Sequence, residues 1–187
     1  MGNRLTIITI VFTAISFISW KSPETEKPQE EIKWLTMEEA LTLHKRQPRK
    51  IIVDMYTDWC GWCKKMDREV YENPGIVKYL NENYYVVKFN TEKYTNDIEY
   101  AGNTFKFIPP PNGGRNGIHE LAYLLMNRQA SYPTTVFINE ELQPIQAIPG
   151  YQQADFFEVV ITYIGEDKYK NTPWTEYQSS YKKTLVQ

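Results

Sequence analysis

The chain has 187 residues, of which 42% are hydrophobic and 24% are charged. This length allows one ordinary domain with extensions or at most two small ones, and this composition argues against general disorder. The 21 basic and 23 acidic residues nearly cancel, so the charge gives no reason to expect nucleic acid or anionic lipid as a partner. Two cysteines exclude a multi-bridge disulfide scaffold and a four-thiolate zinc site.

Residues 1–19 are predicted to be a signal peptide or an N-terminal anchor. A basic start is followed by an uncharged, mainly apolar run over residues 5–18, which suits a secretory signal and is short for a membrane span. The cleavage site is weak, so an uncleaved anchor, and with it contact with a membrane, stays open. Either way the folded part is expected outside the cytoplasm, in the periplasm or a similar compartment. The charged, proline-containing residues 20–31 are predicted to be a linker.

From residue 32 onward, apolar periodicity predicts one α/β domain. Thr36 and Glu39 have capping-box spacing at the start of a helix, and residues 51–56 form the β-branched apolar run typical of a buried strand. Helices are predicted over residues 36–47, 60–72, 74–81, 120–129 and 154–164, and strands over residues 51–56, 84–89, 134–138 and 143–148.

The order of these elements predicts a mixed central sheet covered by helices on both faces. The short polar turn at residues 139–141 predicts that the last two strands are antiparallel. Residues 91–117 are rich in proline and glycine and are predicted to contain no regular element. In the C-terminal extension, Trp174, Tyr177 and Tyr181 share one helical face, which is expected to pack on the domain or, alternatively, to dock a partner.

Both cysteines lie in one motif, Cys60-Gly61-Trp62-Cys63, at the junction of a predicted strand and helix. The N–H groups and dipole of a helix N-terminus stabilise an anion, so Cys60 is expected to be an exposed thiolate near neutral pH. Cys63 lies one turn further and is close enough to form a disulfide with Cys60. Cys60 is therefore predicted to attack a substrate disulfide, and Cys63 to resolve the mixed disulfide. Gly61 permits close approach of the substrate chain.

Other uses of the motif fit less well. A c-type haem attachment needs histidine at the position of Lys64. Zinc needs four ligands, and His44 and His119 lie far away without paired spacing. A purely structural disulfide is disfavoured because so short a loop removes little entropy from the unfolded chain. The motif thus indicates a redox dithiol with no metal and no bound cofactor.

Residues 52–64, IVDMYTDWCGWCK, resemble the active-site stretch of thioredoxins, and residues 32–165 have the element order of a thioredoxin fold. The chain is similar to secreted thioredoxin-like proteins and to the thioredoxin domain of thiol:disulfide interchange proteins. The resemblance implies a thioredoxin-like domain over residues 32–165 and a C-terminal helical extension over residues 166–187. Residues 95–118 form an insertion before the cis-proline strand, either a lid beside the substrate groove or a passive surface insertion.

The resemblance also assigns two charged residues to the site. Asp54 stands six positions before Cys60 and matches the family's buried carboxylate. Burial should raise the pKa of Asp54, so that this carboxyl group accepts the proton of Cys63. Lys88 resembles the family lysine that lies near this carboxylate; the alternative is an ordinary lysine that faces outward from a strand.

The remaining candidate residues concern substrate binding. Pro133 matches the family's cis-proline, beside which the backbone of Tyr132 would pair with an extended substrate chain. Gly150 matches a glycine that helps to open the groove, although it is equally compatible with a simple turn. Trp59 and Trp62 are expected to form a flat apolar rim or to pack on the sheet.

Together these features predict an extracytoplasmic thiol:disulfide oxidoreductase that acts on protein thiols and disulfides. The dipeptide between the cysteines contains no histidine, so one cation that would stabilise the thiolate is missing, which favours a reductase. A reductase outside the cytoplasm needs electrons from another dithiol protein, which is expected to be membrane-borne. The alternatives are an isomerase or oxidant that uses the same residues, or a non-catalytic binding or redox-sensing protein of the same fold.

Overall fold

A computed structural model describes residues 30–113 and 116–186. The predicted signal or anchor, residues 1–19, and nearly all of the predicted linker, residues 20–31, lie outside this part of the chain. Among the residues described, none of the helices combines the length and the apolar character that a membrane crossing requires.

Within these ranges the structure contains nine strands and six α-helices. The helices are α1 (Met37–Arg46), α2 (Gly61–Met66), α3 (Pro74–Asn83), α4 (Glu120–Leu125), α5 (Ala154–Gly165) and α6 (Trp174–Ser180). The strands are β1 (Trp34–Leu35), β2 (Ile51–Tyr56), β3 (Tyr85–Asn90), β4 (Ile98–Tyr100), β5 (Asn103–Phe105), β6 (Phe107–Ile108), β7 (Ile118–His119), β8 (Thr134–Ile138) and β9 (Pro144–Pro149).

Five strands form one mixed sheet in the order β1-β3-β2-β8-β9. Strand β3 runs parallel to both β1 and β2, whereas β8 is antiparallel to β2 and to β9. Successive residues of a strand point to opposite faces, so Val53 and Met55 join one apolar core while Ile52 joins the other. Asp54 has the same parity as Ile52 and therefore lies on the second face, with α3 and α5. The predicted mixed sheet with helices on both faces is confirmed.

The sequence patterns located most of these elements correctly. Strand β2 has the predicted bounds, and the side chain of Thr36 accepts a hydrogen bond from the N–H of Glu39, as in the predicted capping box. The helix predicted over residues 60–72 is instead divided into α2 and a π-helical turn, Asp67–Tyr71. This change of helical repeat alters the direction of the side chains that follow Met66.

The prediction that residues 91–117 contain no regular element is wrong. Strand β4 pairs with β5, and β6 pairs with β7, both in antiparallel ladders. The first hairpin turns at Ala101 and Gly102, whose φ angles of 49° and 79° match the twist that two-residue hairpins require. The prolines that suggested an irregular stretch lie at residues 109–111, after the hairpin, and so do not interrupt its ladder.

The C-terminal extension packs on α5, as expected. The ring of Trp174 contacts the rings of Phe156 and Tyr163, with centroids 5.8 and 5.2 Å apart, and Tyr177 also contacts Tyr163. This stacking buries apolar surface that the domain alone would expose to water.

A second attachment holds the chain beyond α6. The buried carboxylate of Glu158 accepts hydrogen bonds from the backbone N–H groups of Thr184, Leu185 and Val186 and from the Tyr181 hydroxyl. Burial raises the pKa of Glu158, but these donors outweigh burial and leave the pKa below its ordinary value. We call residues 181–186 the C-terminal strap.

Candidate active site

The two cysteines form a disulfide at the N-terminus of α2. Cys60 is the N-cap residue, and its sulfur accepts a hydrogen bond from the N–H of Cys63 at 3.0 Å. The two sulfurs are bonded at 2.10 Å, and the two Cα atoms lie 5.3 Å apart. The predicted disulfide is therefore present, and its first sulfur occupies the cap position that favours a thiolate when the bond is reduced.

The expectation that Cys60 is exposed is wrong for this disulfide form. Cys60 is only 4% exposed and Cys63 only 2%, whereas the neighbouring Trp59 and Trp62 are 62% and 58% exposed. Both cysteines are thus buried in this form, while both indole rings are largely exposed to solvent. These exposures fit the predicted apolar rim better than packing on the sheet.

The buried Asp54 forms an ion pair with the partly buried Lys88 on the face of the sheet described above. They are directly opposite in the β2–β3 ladder, and the ammonium of Lys88 lies 2.6 Å from one carboxylate oxygen. Burial raises the pKa of Asp54 more than Lys88 lowers it, so the pKa of Asp54 is about 6. Its other oxygen has no hydrogen-bond partner among the described residues, which leaves it free to accept a proton.

Lys88 has further partners that sequence reasoning missed. Its ammonium also pairs with Asp67 of the π-helical turn and lies 4.7 Å from the ring of Trp34, 5.1 Å from Tyr56 and 5.5 Å from Tyr71. Burial lowers the pKa of Lys88, but the two carboxylates raise it more, so the group remains an ammonium. No local pattern points to Asp67, because its contact with Lys88 joins two separate elements of the fold.

The predicted cis peptide bond joins Tyr132 and Pro133. The Pro133 carbonyl accepts a hydrogen bond from the N–H of Gly150 at 2.7 Å, so two predicted groove residues are in direct contact. Gly150 has φ of 87°, a conformation that favours glycine, which explains the residue type at this turn. The hydroxyl of Tyr132 lies 2.6 Å from that of Thr91.

Each rim indole contacts a tyrosine. The ring of Trp59 is edge-on to Tyr132 at 5.8 Å, and the ring of Trp62 lies 5.6 Å from Tyr151. The indole N–H of Trp59 also donates to Glu92 at 3.0 Å. Tyr151 was not among the predicted site residues, although it directly follows the predicted Gly150.

A disulfide at a helix N-terminus, a cis-proline loop and a buried carboxylate on a mixed sheet together define a thioredoxin-like oxidoreductase fold. The family model of the thioredoxin-like domain matches residues 37–165. The chain belongs to the thioredoxin-like family.

Solved structures share this fold at low sequence identity. The DsbH oxidoreductase has a TM-score of 0.51 and 15% identity, over 80% of this chain and 95% of that chain. A thioredoxin-fold protein from Helicobacter pylori has a TM-score of 0.51 and 16% identity, over 80% of this chain and 84% of that chain. A thioredoxin from Thermus thermophilus has a TM-score of 0.51 and 18% identity, over 82% of this chain and 99% of that chain.

One curated relative is similar to part of the chain. It is a Caenorhabditis elegans protein described as uncharacterized, 25% identical over 108 residues, which is 58% of this chain and 12% of the relative. The chain therefore spans only a small fraction of that relative's length.

Proposed function

We propose that the protein is an extracytoplasmic thiol:disulfide oxidoreductase that reduces disulfides of other proteins. The observation that carries this proposal is the Cys60–Cys63 disulfide at the N-terminus of α2. The buried Asp54 supports it, because a carboxyl group with a pKa of about 6 exchanges protons readily near neutral pH. The apolar run over residues 5–18 supports the location.

In the proposed reaction the reduced protein begins with a thiolate at Cys60. This thiolate attacks one sulfur of a substrate disulfide, forms a mixed disulfide and releases the other substrate sulfur as a thiolate. Asp54 accepts the proton of the Cys63 thiol, directly or through water. The Cys63 sulfur then attacks Cys60, forms the Cys60–Cys63 disulfide and releases the second substrate thiolate, so that two electrons have passed to the substrate.

The oxidised protein must then recover two electrons from another dithiol. An oxidising compartment has no soluble reducing pool, so we propose that a membrane-borne dithiol protein is the donor. Neither a bound cofactor nor a metal takes part in this scheme. We propose that the substrate chain contacts six residues around the disulfide, namely Gly61, Trp59, Trp62, Tyr132, Pro133 and Gly150.

The reduction potential tests the direction of transfer. A reductase should have a value nearer to about −270 mV, as in thioredoxin, than to about −120 mV, as in the oxidant DsbA. Equilibration with glutathione buffers, followed by alkylation and mass spectrometry, gives this value. A potential near the oxidant end would support the isomerase or oxidant alternative.

Trapping tests whether the dithiol reacts with proteins at all. Cys63→Ala should accumulate mixed disulfides on Cys60, visible on non-reducing gels, because the resolving sulfur is missing. The matched control, Cys60→Ala, should trap far less, since Cys63 lies inside α2 and lacks the N-cap position that favours a thiolate at Cys60. If neither variant traps a protein and the wild type does not cycle between dithiol and disulfide, the proposal is wrong.

A further inference from the structure

One histidine joins the two ends of the insertion over residues 95–118. The backbone N–H of His119 donates a hydrogen bond to the carbonyl of Thr91 at 2.9 Å, and its imidazole Nε2 lies 3.0 Å from the carbonyl oxygen of Asn96. His119 also ends strand β7, where it pairs with Phe107 of β6 inside the insertion. The side chain is fully buried. His119 therefore holds the start and the end of the insertion together from a position that solvent does not reach.

The hydrogen bonds of the His119 ring define its protonation state. Nδ1 accepts a hydrogen bond from the backbone N–H of Leu121 at 3.2 Å, which makes His119 the N-cap residue of α4. Nδ1 therefore carries no proton. The Asn96 carbonyl can only accept a hydrogen bond, so the ring proton lies on Nε2. A protonated ring would turn a second N–H toward the N–H of Leu121, and the cap of α4 would be lost.

The surroundings of the ring favour this neutral form. Burial lowers the pKa of His119, and this effect outweighs the carbonyl and the carboxylates that raise it. Those carboxylates come from α4, from α1 and from the insertion, and they are Glu120, Glu38 and Asp97. The ring of Tyr94 also contacts the imidazole, and burial together with Glu38 raises the pKa of Tyr94 to about 12, so this neighbour is uncharged.

A short chain of contacts leads from His119 to the candidate active site. Thr91, whose carbonyl receives the His119 N–H, is itself fully buried, and its hydroxyl lies 2.6 Å from the hydroxyl of Tyr132. Tyr132 precedes the cis-proline Pro133, and its ring contacts the ring of Trp59. Displacement of Thr91 would therefore remove a hydrogen bond from a residue that lies beside the disulfide.

We propose that His119 is an acid-sensitive clasp, which holds the insertion and the Thr91 hydroxyl in place while its ring is neutral and releases both when the ring is protonated. The inference goes beyond the proposed function, because it does not depend on whether the cysteines exchange disulfides. It gives the insertion a role as a brace for Tyr132. Since folding lowers the pKa of His119, the stability that the clasp contributes is complete above about pH 6.5 and is lost as the pH falls.

Nuclear magnetic resonance of the oxidised protein tests the clasp directly. At neutral pH the nitrogen chemical shifts of His119 should show a protonated Nε2 and an unprotonated Nδ1. After correction for intrinsic exchange rates, protection of the Leu121 amide should fall by up to about tenfold for each pH unit below about pH 6.5. The ring resonances of Tyr132 should shift together with this loss of protection.

Two histidine variants separate this response from other effects of acid. His119→Asn keeps an oxygen that can cap α4 but cannot be protonated near these pH values, so protection of the Leu121 amide should no longer depend on pH after the same correction. His44→Gln is the matched control, because His44 is a buried histidine on α1. This control should keep the wild-type acid response of Leu121.

Thr91→Val tests the link to Tyr132, because it removes the hydroxyl and leaves the backbone carbonyl that His119 contacts. In this variant Leu121 should still respond to acid, while the Tyr132 resonances should no longer follow. A charged ring or a proton on Nδ1 at neutral pH would overturn the inference. So would Leu121 protection that acid does not change, or Tyr132 resonances that follow acid equally in the wild type and in Thr91→Val.

Discussion

Asp54 links the chemistry of the site to the stability of the protein. Burial raises its pKa from 3.8 to about 6, so the folded protein binds this proton more tightly than the unfolded chain does. Between about pH 4 and pH 6 the folded state therefore holds more protons, and the free energy of unfolding falls as the pH rises. A difference of about 2 pKa units corresponds to about 3 kcal/mol once the group is ionised in both states.

Asp54→Asn should stabilise the oxidised protein at neutral pH, because the amide carries no charge that burial penalises. Lys88 keeps its second carboxylate partner, Asp67, in this variant. The variant's advantage in unfolding free energy should grow from small values near pH 4 to about 3 kcal/mol at pH 7. Urea unfolding at several pH values measures this, and an advantage that does not change with pH would contradict the assignment.

The same carboxyl group should control how quickly the mixed disulfide is resolved. Asp54→Asn removes the proton acceptor, so release of the substrate should slow by about 100-fold, a typical contribution of a general base. In the wild type this step should slow as the pH falls below the pKa of Asp54. Rapid-quench measurement of the mixed disulfide follows both effects. A normal rate in Asp54→Asn would show that Cys63 loses its proton to another group.

Lys88 should determine the pH at which the Asp54 carboxyl group ionises and can accept a proton. Lys88→Met removes the ammonium that favours the ionised carboxylate, so the pH midpoint of the resolving step should move upward. Lys78→Met is the control, because Lys78 is an exposed lysine on α3. A midpoint that stays at its wild-type position in Lys88→Met would mean that the ion pair does not tune the carboxyl group.

At the scale of the elements, the C-terminal strap depends on one glycine of α3. A Cβ atom on Gly75 would lie 2.0 Å from the carbonyl oxygen of Leu185, too close for both to keep their positions. Gly75→Ala should therefore displace the strap and weaken its hydrogen bonds to Glu158. Hydrogen exchange at the amides of residues 184–186 should become faster, and unfolding should cost about 1–3 kcal/mol less. Gly61→Ala, where a Cβ has open space, serves as the control for this exchange. Unchanged exchange in Gly75→Ala would contradict the contact.

Long elements with an apolar pattern of their own could be predicted from the sequence, whereas short strands that depend on pairing could not. Strand β2 and helix α5 have long apolar patterns of their own and were predicted almost to the residue. Strands β4 and β5 have three residues each, so pairing with a neighbour specifies them more than any pattern does. The π-helical turn was missed for a related reason, since a helical repeat of apolar residues does not distinguish it from an α-helix.

The same distinction applies to the site. The motif around Cys60, together with Asp54, Lys88 and Pro133, could be identified because each has a fixed spacing or a characteristic neighbour. Asp67 and Tyr151 join the site from separate elements through side-chain contacts, which no local pattern encodes. Their roles follow from the three-dimensional arrangement alone.

At the scale of the whole molecule, the chain after residue 165 completes one of the two cores. Trp174, Leu185 and Val186 pack against the cluster that contains Phe157 and Ile161. Deleting residues 166–187 should lower the free energy of unfolding by about 3 kcal/mol, because full burial of a large apolar side chain contributes about 1.5–3 kcal/mol and these three partly buried side chains each contribute a part of that. Chemical denaturation of the truncated and full chains measures this, and equal stabilities would contradict it.

The two outer strands of the central sheet have a consequence for a protein that is proposed to react with other polypeptides. Strand β1 has only two residues, and β9 begins and ends with proline, while the Gln146 side chain covers the Ala147 carbonyl. Short edges and prolines prevent further strands from adding to a sheet. These two edge strands therefore offer little backbone for another polypeptide to pair with. We expect the protein to bind other chains without forming intermolecular β-sheets along these edges.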